Sequence, residues 1–257
     1  MPVRLLPLTA ALLTAATLTA CAGRQPPKPD YDPWEPMNRK VFWFNDKADH
    51  YVLEPAAKGW NYVVPDRAQR CVTNFFNNLR FPIVFVNDLL QAKPWKAVRA
   101  FERFETNVIL GGLGLFDVAA DVYGVPLQDE DTGQTFGVWD ISPGPYLVLP
   151  LLGPSSPRDA VGLVGDAGLT FYTYYLPAGV SIGGYAVNVV NYRARYLDTI
   201  TRAKEASLDY YTFVRNAYVQ RRWRQVNDEA TTMGAEQEED LYNVEPYENY
   251  LQGDTNR

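Results

Sequence analysis

Histidine is almost missing from this chain: His50 stands alone among 257 residues, which removes multi-histidine metal centres and H-E-x-x-H proteases. Cysteine is nearly as scarce, with only Cys21 and Cys71. Neither a G-x-S-x-G nucleophile elbow nor a phosphate-cradling G-x-x-x-x-G-K-[ST] loop occurs. Cys71 and His50 could form a dyad, but Cys71 falls on an apolar helical stripe where a buried, inert thiol is expected. Basic residues are outnumbered, 24 Lys and Arg against 30 Asp and Glu, so no nucleic-acid partner is expected. These absences point away from an enzyme and from a metal protein.

Also missing is a clean membrane span. Ala167 to Tyr192 carries no charge, and by length alone it would cross a bilayer. Pro177, Gly168, Gly179, Gly183, Gly184, Asn188 and Asn191 break it, and its tyrosines suit the headgroup level better than hydrocarbon. Two short helices broken at Pro177 and lying in the membrane plane are expected.

What is present begins with an export signal over residues 1–20. Arg4 supplies the positive start and Leu5 to Leu18 the apolar core. Leu18-Thr19-Ala20-Cys21 then reads as a bacterial lipobox, in which cleavage leaves Cys21 carrying S-diacylglycerol and an N-acyl group. At about 0.8 kcal/mol per buried methylene, three chains hold a protein on a membrane essentially permanently. Ala22 in place of Asp suits the outer membrane. No other cofactor is expected. Lipidation uses one cysteine, so Cys71 has no disulfide partner and the fold must hold by burial. Residues 21–29 form a polar, proline-containing tether, residues 30–227 the folded domain, and residues 228–257 an acidic, largely disordered tail with one short helix that orders on a partner.

Helical periodicity dominates the domain. After Pro65, Ala68, Cys71, Val72, Phe75 and Leu79 make one apolar stripe, expected to be core. Pro82 interrupts, Ile83 to Leu90 follows as a short helix, and Pro94 opens a longer one with Ala97, Phe101, Phe104 and Val108 on its inner face. Leu197 to Trp223 reads as one long helix or a broken pair, with Leu197, Ile200, Leu208, Tyr211, Val214 and Tyr218 inside. Arg215, Arg221, Arg222 and Arg224 make its end basic, to meet lipid phosphate or a partner's acids, or simply to suit the helix dipole.

Between these lies the stretch around which the chain is organised, residues 104–162. Gly111, Gly112 and Gly114 invite a dinucleotide-binding reading, but Asp117 stands where the third glycine belongs and a helix precedes them. Leu113 to Val122 is expected to be an amphipathic helix, with Gly114, Asp117 and Asp121 opposite Leu115, Val118, Ala119 and Val122. Such a helix lies in an interface or turns its acids into a wet passage. Asn107 is a polar residue near a buried stripe, whose ordinary role is a hydrogen bond to neighbouring backbone. Asp129-Glu130-Asp131 is expected to be a solvated turn, since it lacks the spacing of a calcium loop. Gly144 to Pro157 is an aliphatic block stiffened by prolines.

Five blocks together carry a family likeness: DPWEPMNRKVFWFND, YVLEPAAKGW, RFETNVILGGLGLFDVA, DTGQTFGVWDISPGPYLVLPLLGPSSPRDAVG and LDYYTFVRNAYVQRRW. With the lipobox ahead of them, the chain resembles the VacJ/MlaA outer-membrane lipoproteins over nearly all of its mature length; Thr132 stands where that family is expected to carry an aromatic. The resemblance implies an all-α, ring-like domain of amphipathic and interfacial helices lying in the membrane plane, with an amphipathic central channel. It implies extraction of mislocalised phospholipids from the outer leaflet and their transfer to a periplasmic lipid-carrier protein, usually beside a trimeric outer-membrane porin. The membrane and phospholipid are then the further partners. Residues expected along the channel are Asn107, Gly111, Gly112, Gly114, Asp117, Asp121, Tyr146, Leu147, Leu149 and Pro150. Two other readings compete: a lipoprotein that only scaffolds porins, and a lipid hydrolase using a nucleophile such as Ser155.

Overall fold

A computed structural model of the chain describes residues 31–228. The signal segment, the acylation expected at Cys21, the tether and nearly all of the acidic tail lie outside the described residues. Asp228, expected to open the tail, is ion-paired to Lys93 at 2.8 Å and Lys96 at 2.7 Å.

Proline and capping residues set the helix boundaries. Helix α1 (Glu35–Ala48) begins with Pro36 in its first turn. It runs through a single π turn, Asp49–Leu53, into α2 (Glu54–Val63). Pro55 has no N–H to give to the turn before it, and the wider turn accommodates that loss, with the Glu54 N–H reaching back to the Asp49 carbonyl. Helix α3 (Asp66–Leu79) follows the extended Pro65. Pro82 sits in the first turn of α4 (Phe81–Leu90) and Pro94 opens α5 (Pro94–Ile109), as the sequence predicts.

The expected amphipathic helix over Leu113 to Val122 is not formed as one piece. Gly112, Leu113 and Gly114 all take positive φ, which cannot propagate a right-handed helix, so only α6 (Val118–Asp121) is helical. Gly111 is required there: a Cβ would sit 2.2 Å from the Phe116 carbonyl oxygen and 2.6 Å from that of Asn107.

Helix α7 (Thr132–Val138) is capped by Asp131. The proline-rich block then folds into a two-stranded antiparallel hairpin, β1 (Leu147–Leu149) against β2 (Gly153–Ser155), with Val148 opposite Pro154. Two amides of α1 serve the hairpin as a neighbouring strand would. Asn38 donates to the Tyr146 carbonyl and accepts from the Val148 N–H, each at 2.9 Å; Asn45 donates to Leu149 at 2.9 Å and accepts from Leu151 at 2.7 Å. Helix α8 (Pro157–Leu169) follows, capped by Ser156. The uncharged segment breaks at Pro177, as expected, but not into two short helices: its start belongs to α8, α9 (Tyr172–Tyr175) is a single turn and α10 (Ala178–Arg195) runs for 18 residues. The basic segment is a broken pair, α11 (Leu197–Ala206) and α12 (Tyr210–Val226), the latter capped by Asp209. Leu208, expected inside, lies fully exposed in the connection between them.

Burial is inverted relative to a water-soluble bundle. The bulkiest fully buried side chains are Gln134, Val148, Asn38, Asn87, Asn191, Thr135 and Asp88. On α3 the buried residue is Gln69, whereas Ala68 and Phe75 of the supposed core stripe are exposed. On α5 the buried line is Ala97, Ala100, Arg103 and Asn107, and Phe101 points outward. Large apolar groups cover the outside, with Tyr62 92%, Tyr175 83% and Trp95 80% exposed. The interior is pinned by amides: Asn191 of α10 accepts from Trp60 of α2 at 3.0 Å and donates to Thr73 of α3 at 2.9 Å, while Asn87 of α4 accepts from Thr135 of α7 at 2.6 Å. One small apolar cluster, Tyr146, Val148 and Tyr211, sits under the hairpin with Val41, Phe42 and Tyr218 against it. Among the described residues no helix is long and apolar enough to cross a membrane.

Candidate functional site

The helices and hairpin line an open cavity of about 590 Å³, with walls drawn from the α3–α4 junction, Asp129 and Asp131, the hairpin, α8, α10, α11 and α12. Its character is set by a single face of α12. Tyr210, Phe213, Val214 and Ala217 line the cavity first, and then, at continuing helical spacing, Tyr218, Arg221, Arg222 and Gln225. The face changes from apolar to charged along the helix. Leu149 and Leu152 of the hairpin, Leu163 of α8 and Ile200 of α11 extend the apolar part; Arg80, Asp129, Asp131, Asp159 and Asp166 extend the charged part.

The charged part is one connected network. Arg222 donates to Asp131 at 2.6 and 3.0 Å and to Asp159 at 2.9 Å through both Nε and Nη2. Asp129 accepts from Arg80 at 2.8 Å and from Arg221 and Gln225 at 3.1 Å each. Tyr218 donates its hydroxyl to Asp159, and Thr132 donates to Asp166 at 2.7 Å. Burial pushes the Asp131 carboxyl up, but the Arg222 guanidinium and the Gln134 contacts outweigh it and hold the group at about 2. Asp129 and Asp159 likewise lie below the usual carboxylate range, because Arg80 and Arg221 around the first and Arg222 and Arg158 around the second overcome their burial. Asp166 has no such cation in contact and is raised by burial. The Asp129-Glu130-Asp131 run is therefore not a solvated turn. Glu130 is only 5% exposed, and its neighbours are neutralised by arginines that arrive about ninety positions later in the chain.

The structure sets the sequence-predicted channel residues in three places. Leu149 lines the large cavity, and Tyr146 lines an adjoining cavity of about 540 Å³; Leu147 is half-buried on the same strand and Pro150 is exposed in the turn beyond it. Asn107 and Asp117 are joined with Arg103 in a brace. Asn107 donates to Asp117 at 3.1 Å and accepts from the Ala119 N–H at 2.9 Å, Arg103 pairs with Asp117, and Arg103 also donates to the Val125 carbonyl at 2.6 Å. These side chains surround a void of about 30 Å³. Gly111 leads into the left-handed turn of Gly112, Leu113 and Gly114 beside that brace, with Gly114 pressed against Asn78, and Asp121 is exposed at the end of α6. Ser155 lines the large cavity, and its hydroxyl contacts the Ser156 carbonyl at 3.3 Å; His50 is held by Glu54 at 3.2 Å. Residues missed at the sequence level are Arg80, Asp129, Asp131, Asp159, Asp166 and Gln225. The polarity change along one face of α12 is a signal that could have found their partners.

A family model described as MlaA lipoprotein matches residues 30–225. The chain belongs to the MlaA lipoprotein family. That MlaA span contains every residue lining the large cavity, from Arg80 to Gln225. The Haemophilus influenzae "Intermembrane phospholipid transport system lipoprotein MlaA" is 36% identical over 229 residues, covering 85% of this chain and 89% of the relative. The Escherichia coli K12 protein of the same name is 36% identical over 196 residues, covering 74% and 76%. A solved structure described as "Structural basis for maintenance of bacterial outer membrane lipid asymmetry" superposes with a TM-score of 0.67 at 36% identity, over 76% of this chain and 99% of that one.

Proposed function

We propose that this protein is an outer-membrane lipoprotein that extracts mislocalised phospholipids from the outer leaflet and passes them to a periplasmic lipid carrier, maintaining lipid asymmetry. The observation that carries the reading is the pairing of an apolar exterior with a cavity that is apolar at one end of α12 and charged at the other. Apolar side chains exposed on this scale mark a surface that meets lipid or protein. Helices too short or too polar to span suit an embedded, in-plane body.

The cavity then serves a molecule with two chemistries. A phosphate headgroup follows the arginine-bearing wall, while acyl chains follow Leu149, Leu152, Ile200, Phe213 and Val214. No bond is made or broken, and direction comes from the acceptor. Arginine suits the phosphate because its planar fork binds oxyanions bidentately. Cys21 supplies the acyl anchor, and a trimeric porin holds the body in place; both follow from the family resemblance and from the lipobox. Relatives named for phospholipid transport support the same assignment.

The test is deletion of the gene with complementation, reading outer-leaflet phospholipid. Deletion should raise surface phospholipid and the wild-type gene should restore it; an unchanged surface would favour a scaffold for porins. Purified protein incubated with phospholipid should release no lysophospholipid, and release would favour the hydrolase built on Ser155. Replacing Cys21 with Ser should free the protein from membranes.

A further inference from the structure

The cavity adjoining the main one, about 540 Å³, is lined among others by Pro143, Tyr146, Arg158, Val219, Trp223 and Val226. Each cavity has a volume within the range of ligand sites, about 300–1,000 Å³. They share three residues, Asp159, Tyr218 and Arg222, and Tyr218 and Arg222 both donate to Asp159. The partition between the cavities is thus a set of side chains held by polar contacts, which can exchange partners without any movement of backbone.

Arg222 is placed to make such an exchange. Its guanidinium is divided between Asp131 and Asp159, and a phosphodiester offers the same paired oxygens as either carboxylate. While the guanidinium stays beside them and turns part of its fork to a phosphate, each carboxylate keeps a further partner. Asp159 keeps Arg158 at 3.0 Å, and Asp131 keeps the Gln134 N–H at 2.8 Å and its side-chain amide at 3.0 Å. Beyond the partition, two lining residues carry buried polar atoms with no partner, the Tyr146 hydroxyl and the Trp223 indole nitrogen. Tyr146 is only 3% exposed. Val219 and Val226 give the same cavity an apolar part for acyl chain.

We propose that the second cavity is a phospholipid site in series with the first, and that Arg222 is the residue over which the lipid phosphate passes from one to the other. The inference rests on the transport reading above.

The full-length, acylated protein is expressed in cells labelled with radioactive phosphate, with photoreactive benzoylphenylalanine at Val219, which lines only the second cavity, or at Ile200, which lines only the first. Benzophenone reacts at C–H bonds, so a labelled adduct reports lipid and not free phosphate. Both positions should capture phospholipid. Arg222→Lys, which replaces a fork with a single ammonium, should leave Ile200 capture in place and lower Val219 capture about fivefold or more. Tyr218→Phe, which removes one tie from the partition, should raise Val219 capture relative to Ile200.

Capture at Ile200 without capture at Val219 overturns the proposal and leaves the transport reading standing. Capture at Val219 that is untouched by Arg222→Lys overturns the role of Arg222. Absence of capture at both positions defeats the transport reading itself. If Arg222→Lys loses both adducts, Tyr218→Phe decides, and an unchanged ratio there overturns the proposal.

Discussion

At the joint between α7 and α8, a Cβ on Gly162 would lie 2.4 Å from the Gly133 backbone nitrogen, and one on Gly165 would lie 2.8 Å from Thr132; Gly168, Gly179 and Gly183 have nothing within 4 Å. Both regions are helical and glycine-rich. In the first, small residues let two helices close around buried Gln134, Thr135 and Asp159, and the backbone itself is the packing surface. In the second, α9 and α10 turn Tyr174, Tyr175, Val180 and Ile182 outward. The difference shows where this fold keeps its specificity. Polar groups lock the centre, and the rim is an outward-facing apolar coat.

The comparison can be broken most forcefully at the centre. Arg222→Met should leave Asp131 and Asp159 buried without their shared cation, and removal of one partner from a buried ionic cluster costs about 3–5 kcal/mol. Loss of folded protein, read by thermal melting in detergent and by protease resistance, is the expected outcome; a stable variant would show the network to be dispensable. A smaller effect is expected from Gly162→Ala. Its new methyl meets backbone and cannot be relieved by a rotamer change, so the helices must part at a cost of about 1–3 kcal/mol.

Proline made the boundaries legible, which is why Pro82, Pro94 and Pro177 mark helix starts both in the sequence and in the fold, whereas the cap at Asp131 was read as a solvated turn. The direction each helix faces was not legible from periodicity. A stripe such as Ala68, Cys71, Val72, Phe75 and Leu79 identifies a helix, but the rule that the stripe points inward assumes water outside. Here Gln69 is buried and Phe75 exposed. The cavity was half legible: its hairpin and Leu149 lie in the stretch singled out, whereas Asp129 and Asp131 acquire their role only when α12 brings Arg221 and Arg222 to them. No local window contains that information.

Asp88 sharpens the comparison through pH. It is fully buried in the polar centre and both carboxylate oxygens lack a hydrogen-bond partner. Burial, and then the Glu130 charge, raise it to about 7 against the opposing influence of Lys96 and Lys93. A folded-state value above the ordinary carboxylate range means that the folded protein holds this proton more tightly than the unfolded chain. The buried charge is therefore at its full cost above about 7, and stability is regained progressively as pH falls from there toward the usual range. Asp88→Asn should melt higher than wild type at about pH 8, with the gap narrowing by about pH 5 and closing only at about pH 4, near the ordinary carboxylate value, at roughly 2–4 °C per kcal/mol in a domain of this size. A pH-independent difference would mean that Asp88 is ionised or neutral throughout that range.

The smallest effect belongs to the rim. Gly183 lies inside α10 with open space where a side chain would go, and a helical Gly→Ala change that meets no clash stabilises by about 0.4–1 kcal/mol, chiefly by restricting the unfolded chain. Gly183→Ala should therefore raise the melting temperature by a degree or a few while Gly162→Ala lowers it, although the two substitutions are chemically identical. Equal effects would mean that the centre and the rim are packed alike, and the division between a locked polar interior and an outward-facing apolar coat would have to be abandoned.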